Sequence, residues 1–247
     1  MPTEPPSPGW VIPDVRTAPA GQELVAVGAD LSAGMLLAGY RGGLFGMPDG
    51  DILGWWSPDP RGILAPDQVH VSRSLRRALG RFEVGVDGCF DTVVGHCADP
   101  RRPHGWISAD YRAAYHELHG LGWAHSIEVW DVQGELAGGL FGVEVGGLFA
   151  AESMFHLATD ASKVAVVALA DLLGADRRPQ RLIDVQWCTP HLASLGAAEV
   201  SRSEYMHRLR GALAVPPVLG GQGAVAPGAP PAPGVPGAPS RIRWRTA

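Results

Sequence analysis

Apolar residues first cluster at Leu24-Val25-Ala26-Val27 and again at Met35-Leu36-Leu37, where Asp30 or Ser32 stands ready to cap a short helix running to Tyr40. Gly42 and Gly43 end that helix. Residues 72–81 read as a second helix, with Leu75 and Leu79 on one side and Arg73, Arg76 and Arg77 at i, i+3 and i+4 on the other. A strand over 82–86, a helix over 90–97 and a helix from Ser108 to His119 follow, the last with Tyr111, Ala114, Tyr115 and Leu118 apolar. Residues 124–131 alternate, Ser126 and Glu128 against Ile127 and Val129, which predicts a half-buried strand. With 136–145 and 148–155 it makes a three-stranded antiparallel meander turned at Gly146-Gly147. An alanine- and valine-rich helix over 163–173 is apolar nearly all round and predicts deep packing. A strand over 181–187 and helices over 191–198 and 203–213 complete the periodic chain.

This order predicts an α+β fold, with strands and helices mixed along the chain rather than in strict βα alternation. Residues 1–23 form a Pro-rich segment, irregular and suited to covering a surface groove. A small N-terminal domain over 24–70, a larger domain over 71–213 and a disordered Pro/Ala/Gly tail over 214–247 follow. The tail has no periodicity and cannot bury enough surface to offset its ordering entropy.

Composition narrows the class. With 247 residues, 46% of them hydrophobic, the chain can bury a real core. Cys89, Cys97 and Cys188 are odd in number and scattered, without zinc spacing, so a reduced, cytoplasmic protein is expected. The N-terminus does not read as a secretory signal and no apolar run approaches bilayer length, so no membrane association is expected. A net charge of −5 argues against wholesale nucleic-acid binding but leaves room for a local patch, and the arginine stripe of residues 73–77 is one. Lys163 is the single lysine among 20 Lys and Arg positions.

Three places carry chemistry. Trp55-Trp56-Ser57-Pro58-Asp59-Pro60-Arg61 is a rigid run in which extended backbone sends adjacent indoles to opposite faces, one to a core and one outward. Glu152 sits alone in the apolar run 148–155, either satisfied locally or holding a polar substrate group. Asp184 and Gln186 share one face of their strand, a polar pair that is mutually satisfied or faces a ligand. His116 and His119, one turn apart with His125 nearby, lack an HExxH pattern or a cysteine partner, and no metal is expected.

Several of these runs, taken together and in order, resemble the leucyl/phenylalanyl-tRNA–protein transferase family. They are Trp55 to Arg61, Tyr115-His116-Glu117-Leu118-His119, 124–130, Gly138-Gly139-Leu140-Phe141-Gly142, Glu152-Ser153-Met154-Phe155, Ala161-Ser162-Lys163, Ile183-Asp184-Val185-Gln186 and 191–197. The resemblance spans roughly residues 23–210. It implies a small N-terminal domain before an acetyltransferase-like (GNAT) domain with a mixed, mainly antiparallel sheet. It also implies transfer of Leu, Phe or Met from aminoacyl-tRNA to the N-terminal amine of proteins beginning with Arg or Lys. The family needs no cofactor, and a monomer is expected.

By that resemblance Gln186 contacts the attacking amine, Asp184 orients and polarises Gln186, and Glu152 belongs to the active-site hydrogen-bond network. A relay through the tRNA's terminal ribose is an equal account of the proton. Ser153, Met154, Phe155, Leu169 and Ile183 would line the pocket for the transferred side chain, with Asp184 and Gln186 as the expected partners of Glu152. Trp106 would face the terminal adenosine, with Trp55 and Trp56 as further aromatic surface, and Arg73, Arg76 and Arg77 would meet acceptor-stem phosphates. Met47 stands where the family usually has Trp, and Ala151 where it usually has Gly. Glu128 and Glu144 are the acids available for a basic acceptor. Two other readings stay open: an acyl-CoA-dependent N-acetyltransferase, disfavoured because 156–162 has no glycine to cradle pyrophosphate, and a non-catalytic RNA- or peptide-binding relative.

Overall fold

The computed structural model describes residues 1–102 and 105–220 and the backbone of 242–243. Strand β1 (Leu24–Val27), helix α1 (Ala33–Arg41) and the hairpin β2 (Phe45–Asp49) and β3 (Ile52–Trp56) build a small antiparallel sheet ordered β1-β3-β2. Ser32 caps α1, its hydroxyl accepting from the Met35 N–H, and Gly42 closes it. The hairpin escapes the periodicity because Gly46 and Pro48 dilute β2. Proline is tolerated there because β2 is an edge strand.

The chain then enters a larger sheet through β4 (Arg61–Leu64), so this strand, within the expected 24–70 unit, pairs in the larger sheet. Helix α2 (Arg73–Leu79) starts on Ser72, whose hydroxyl accepts from the Leu75 N–H, and leads to β5 (Glu83–Val86). Helices α3 (Phe90–Cys97) and α4 (Ala109–Gly120) precede the meander β6 (Ala124–Trp130), β7 (Leu136–Val145) and β8 (Leu148–His156). Helix α5 (Ala161–Gly174) carries the chain to β9 (Leu182–Gln186), which is followed by the short α6 (Pro190–Ala193), β10 (Ala198–Val200) and α7 (Arg202–Leu213). The sheet order is β10-β4-β9-β8-β7-β6-β5-β11, with β11 (Ile242–Arg243) on the β5 edge and β8–β9 its one parallel pair. The fold is therefore α+β with a mixed sheet.

Helices α2 and α5 cover one face of this sheet, and α1, α3, α4 and α7 the other. That double cover corrects the expectation for β6: Ser126 and Glu128 are as buried as Ile127 and Val129. The helix expected over 191–198 stops at Ala193, because Gly196 takes φ +99° and returns the chain to pair with β4.

The ends are also more ordered than composition suggests. The Thr3 N–H donates to the Leu121 carbonyl at 2.8 Å, its own carbonyl accepts from the Trp123 indole, and Glu4 pairs with Arg41. The tail was expected to be disordered from residue 214. Instead Val218, Leu219 and Gly220 donate their backbone N–H groups to the buried Glu144 carboxylate, a sequence-remote anchor. Most of the remaining tail lies outside the described residues. Among the described residues no helix is long and apolar enough to cross a membrane.

Candidate active site

Strands β8 and β9 run parallel through three residue pairs, Leu148 with Leu182, Phe149 with Ile183 and Ala150 with Asp184, and then their ladder stops. Each strand carries an irregularity at that point. On β8, Ser153 faces Phe141 and Ala151 faces Gly142, so Glu152 is the extra residue of a β-bulge. On β9, Asp184 faces Ile63 and Gln186 faces Gly62, which leaves Val185 as the extra one. Bulges bend a strand and re-aim a side chain. Between the parted strands lies a cavity of about 270 Å³. Its walls include Ala151, Glu152 and Met154 from β8, Ile183, Val185 and Gln186 from β9, and Leu169 from α5.

Glu152 is partly exposed to this cavity, and its two oxygens are held from behind. The Tyr40 hydroxyl of α1 donates to Oε1 at 2.9 Å and the Tyr115 hydroxyl of α4 to Oε2 at 2.7 Å. Burial pushes the carboxyl up to about 7, against the pull of those two hydrogen bonds, and the nearby Asp184 charge adds to the rise. Burial beside Glu152 also holds both phenols well above their ordinary range, so they remain donors. The partners expected for Glu152, Asp184 and Gln186, are thus replaced by two tyrosines that come from different helices.

Asp184 is committed elsewhere. Arg61 donates Nε to Oδ1 at 2.8 Å and Nη2 to Oδ2 at 2.6 Å, and both side chains are 1% exposed. Tyr205 adds its hydroxyl to Oδ2 at 2.8 Å. The guanidinium lies over the Phe45 and Tyr205 rings, 5.0 and 4.5 Å from their centroids. Burial pulls the Arg61 pKa down, but the Asp184 carboxylate more than offsets this and the cation is secured. Asp184 meets Gln186 only through the Gln186 backbone N–H, at 3.0 Å. Gln186 itself sits at φ +57°, a region a non-glycine residue rarely occupies, and its buried Nε2 finds no partner among the described residues.

The remaining expected residues divide. Met154, Leu169, Ile183 and Ser153 line the cavity, and the Ser153 hydroxyl lies 3.4 Å from Arg102 Nη1. Phe155 does not, since it faces away and stacks on His96 at 4.6 Å. Trp106 packs edge-on against Tyr111 and Tyr115, at 5.1 and 6.4 Å, and Tyr115 is one of the two phenols that hold Glu152. Trp55 is the inward indole, 1% exposed with its N–H on the Gly28 carbonyl, and so belongs to the core rather than to a substrate surface. Trp56 is the outward one. It donates to the Met47 carbonyl and lies 6.2 Å from Trp187, which lines the cavity. Met47 stands outside the lining. Arg73, Arg76 and Arg77 are all exposed on one side of α2, with Leu75 and Leu79 buried beneath.

Glu128 and Glu144 are not free to meet a basic acceptor: Glu128 is buried and accepts from Ser126 and the Cys89 N–H, and Glu144 holds the tail. The histidines are dispersed too, His116 on Asp91, His119 on the Ala124 carbonyl and His125 on Asp87. Among the described residues no three His, Cys, Asp or Glu are grouped to hold a metal ion.

Arg102 was not foreseen. It lines the cavity and ties α3 to β8 by donating to the carbonyls of Cys97 and Met154, at 2.8 and 2.7 Å. Tyr40, Tyr115, Arg61 and Tyr205 also went unassigned, because each meets its carboxylate across a long stretch of chain.

An apolar cavity bordered by a high-pKa carboxyl and an unpartnered amide is the kind of site that seats an apolar group beside a polar reacting centre. The comparisons with known proteins make the assignment specific. The sequence model described as leucyl/phenylalanyl-tRNA protein transferase matches residues 63–210, and that of its N-terminal domain matches 29–59. The leucyl/phenylalanyl-tRNA–protein transferase of Azoarcus sp. is 48% identical over 194 residues, 76% of this chain and 80% of that one. That of Aromatoleum aromaticum is 50% identical over 74% of this chain and 78% of its own. That of Oleidesulfovibrio alaskensis is 46% identical over 83% and 85%. Among solved structures, L-PGS from Bacillus licheniformis aligns with a TM-score of 0.34 at 10% identity over 61% of this chain and 51% of that one. The chain belongs to the leucyl/phenylalanyl-tRNA–protein transferase family.

Proposed function

We propose that this protein moves Leu, Phe or Met from aminoacyl-tRNA to the N-terminal amine of proteins beginning with Arg or Lys, marking them for degradation. The observation that carries the reading is the cavity of about 270 Å³ between β8 and β9, apolar along Met154, Leu169 and Ile183 and polar at Glu152 and Gln186. Such a pocket takes an apolar side chain and leaves the ester at the polar edge. An aminoacyl ester is already activated, so the protein needs to align ester and amine, accept a proton and stabilise the developing oxyanion. No metal or CoA enters this scheme. The unpartnered Gln186 amide is placed to donate to substrate oxygen, and Trp106 offers a face for the terminal adenosine.

The parting of β8 from β9 supports reading the larger unit, 71–213 with β4, as acetyltransferase-like. A CoA-dependent reaction is less well served, because the acidic Asp160 stands at the N-terminus of α5, where pyrophosphate would lie. The site is completed by Tyr40 of the small N-terminal unit, so one chain suffices and a cytoplasmic monomer is the simplest working form.

The test supplies labelled leucyl-, phenylalanyl- or methionyl-tRNA and a peptide beginning with Arg. Label is expected in the peptide, and folded protein that transfers from none of the three donors would sink the reading. The arginine stripe adds a second prediction. Replacing Arg73, Arg76 and Arg77 together with Ala should weaken tRNA binding and reduce the slope of log affinity against log salt by roughly 2 to 3, about one per lost phosphate contact. An unchanged salt slope would place the acceptor stem elsewhere.

A further inference from the structure

We propose that Lys163 and Arg81, steered by Asp160, bind a backbone phosphate of the single-stranded 3′ end of tRNA and lead that strand from the arginine stripe of α2 to the cavity. This rests on the transferase reading above and concerns a surface outside the cavity walls. Lys163 lies in the first turn of α5, and Asp160 precedes that helix at φ +70° with a carboxylate that makes no capping hydrogen bond. The carboxylate instead faces two cations from different elements. Lys163 Nζ stands 3.5 Å from Oδ1, and Nη2 of Arg81, just beyond α2, stands 4.0 Å from Oδ2. Among the described residues neither head group donates a hydrogen bond, and with side chains 33% and 63% exposed both can turn to a ligand. Two cations against one carboxylate leave a net positive charge with unspent donors. A phosphodiester, singly negative and acceptor-only at its free oxygens, is its complement.

The position of the pair joins two places already described. Lys163 is three residues before Val166, so their Cβ atoms lie about 5 to 6 Å apart on one face of α5, and Val166 lines the cavity. His191 of α6 is close to Lys163: burial and the charges of Lys163 and His156 hold its imidazole below the ordinary pKa, and its neighbour Leu192 lines the cavity too. In the other direction Arg81 continues α2, whose Leu75, Ala78 and Leu79 pack into one core with α5 while Arg73, Arg76 and Arg77 face outward. The cations therefore form a band from the stripe to within a helical turn of the cavity. The band also gives a reason for the residue at 163, the single lysine among 20 Lys and Arg positions. At the start of a largely buried helix, a compact ammonium can meet a phosphate oxygen from any side, where a planar guanidinium needs room for its fork. Asp160 bars the end of α5 itself, so the phosphate meets side chains, an arrangement that suits one phosphodiester better than a pyrophosphate.

Binding of two tRNAs, one intact and one lacking its single-stranded 3′ end, measured by fluorescence anisotropy over a range of salt concentrations, tests this. Arg81→Ala/Lys163→Ala should bind intact tRNA roughly tenfold more weakly than wild-type protein. Its slope of log affinity against log salt should fall by about 0.7, the value for one phosphate of a single strand. The same variant should bind the truncated tRNA as wild-type protein does, whereas replacing Arg73, Arg76 and Arg77 should weaken binding of both. Excess coenzyme A should leave wild-type binding of intact tRNA unchanged. If wild-type protein transfers label to the peptide while the double variant binds intact tRNA as tightly as wild type, or loses affinity equally for both tRNAs, the site is overturned and the transferase reading stands. Displacement of intact tRNA by coenzyme A would overturn the site in favour of a soluble pyrophosphate. Absence of transfer by wild-type protein would overturn both.

Discussion

Asp184→Asn is expected to destabilise the protein by about 3 to 5 kcal/mol, the usual consequence of removing one partner of a buried ion pair. For a chain of this size the melting temperature should fall on the order of 10 °C. The cause lies in Arg61. Its guanidinium is clamped between Phe45 and Tyr205 at 1% exposure and has no route to water. In wild-type protein Asp184 neutralises it through two hydrogen bonds, while the same carboxylate also accepts from Tyr205 and the Gln186 N–H. Asparagine keeps the shape but loses the charge, and its NH₂ must confront one of those donors. Thermal and urea unfolding of Asp184→Asn and Arg61→Met, with the double variant Arg61→Met/Asp184→Leu, would measure this. The double variant should recover part of the loss, since no charge is then left buried alone. A melting temperature unchanged in Asp184→Asn would show that water or relaxation already screens the pair.

That interaction marks the line between what could be read from the chain and what could not. Signals spanning a few residues were legible: Ser32 and Ser72 as helix caps, the 136–155 hairpin turning at Gly146, and the polar Asp184 and Gln186 two residues apart on one strand. The outward and inward indoles of Trp55 and Trp56 were legible as a pair, but which went in was not, because both faces of an extended strand look alike in sequence. The long-range partners carried no local mark. Tyr40 reaches Glu152 across 112 positions and Arg61 reaches Asp184 across 123. Tyr115 reads as one more apolar residue on the buried stripe of α4, and nothing in its spacing announces a hydroxyl aimed at a carboxylate. Alternation already puts Glu152 in register with Met154, and both line the cavity, but the bulge that makes Glu152 the extra residue opposite β7 carries no mark in the sequence.

Gly142→Ala should therefore be among the most damaging single methyl additions at the described glycines. The bulge brings the β7 backbone so close to β8 that a Cβ at residue 142 would strike the Ala150 carbonyl oxygen and the Phe149 ring, whose Cζ lies 2.9 Å away. Neither can yield cheaply. The carbonyl is backbone at the point where β8 leaves β9, and Phe149 is 0% exposed in the core beneath α5. Overpacking of this kind typically costs 1 to 3 kcal/mol, with the upper part of that range expected here because backbone must shift. Function should suffer more than stability. The cheapest relief is to move residues 150–152 away from β7, and that carries Glu152 off the Tyr40 and Tyr115 hydroxyls and into the space between the strands. A melting temperature lowered by several degrees is expected together with a transfer rate reduced at least 100-fold in the protein that remains folded. Gly105→Ala, whose added methyl would meet its nearest atoms at 3.6 Å, should behave like wild-type protein and serves as the control. Full activity in folded Gly142→Ala would mean that the bulge can re-form around a side chain and that the register of β7 on β8 does not position the carboxylate.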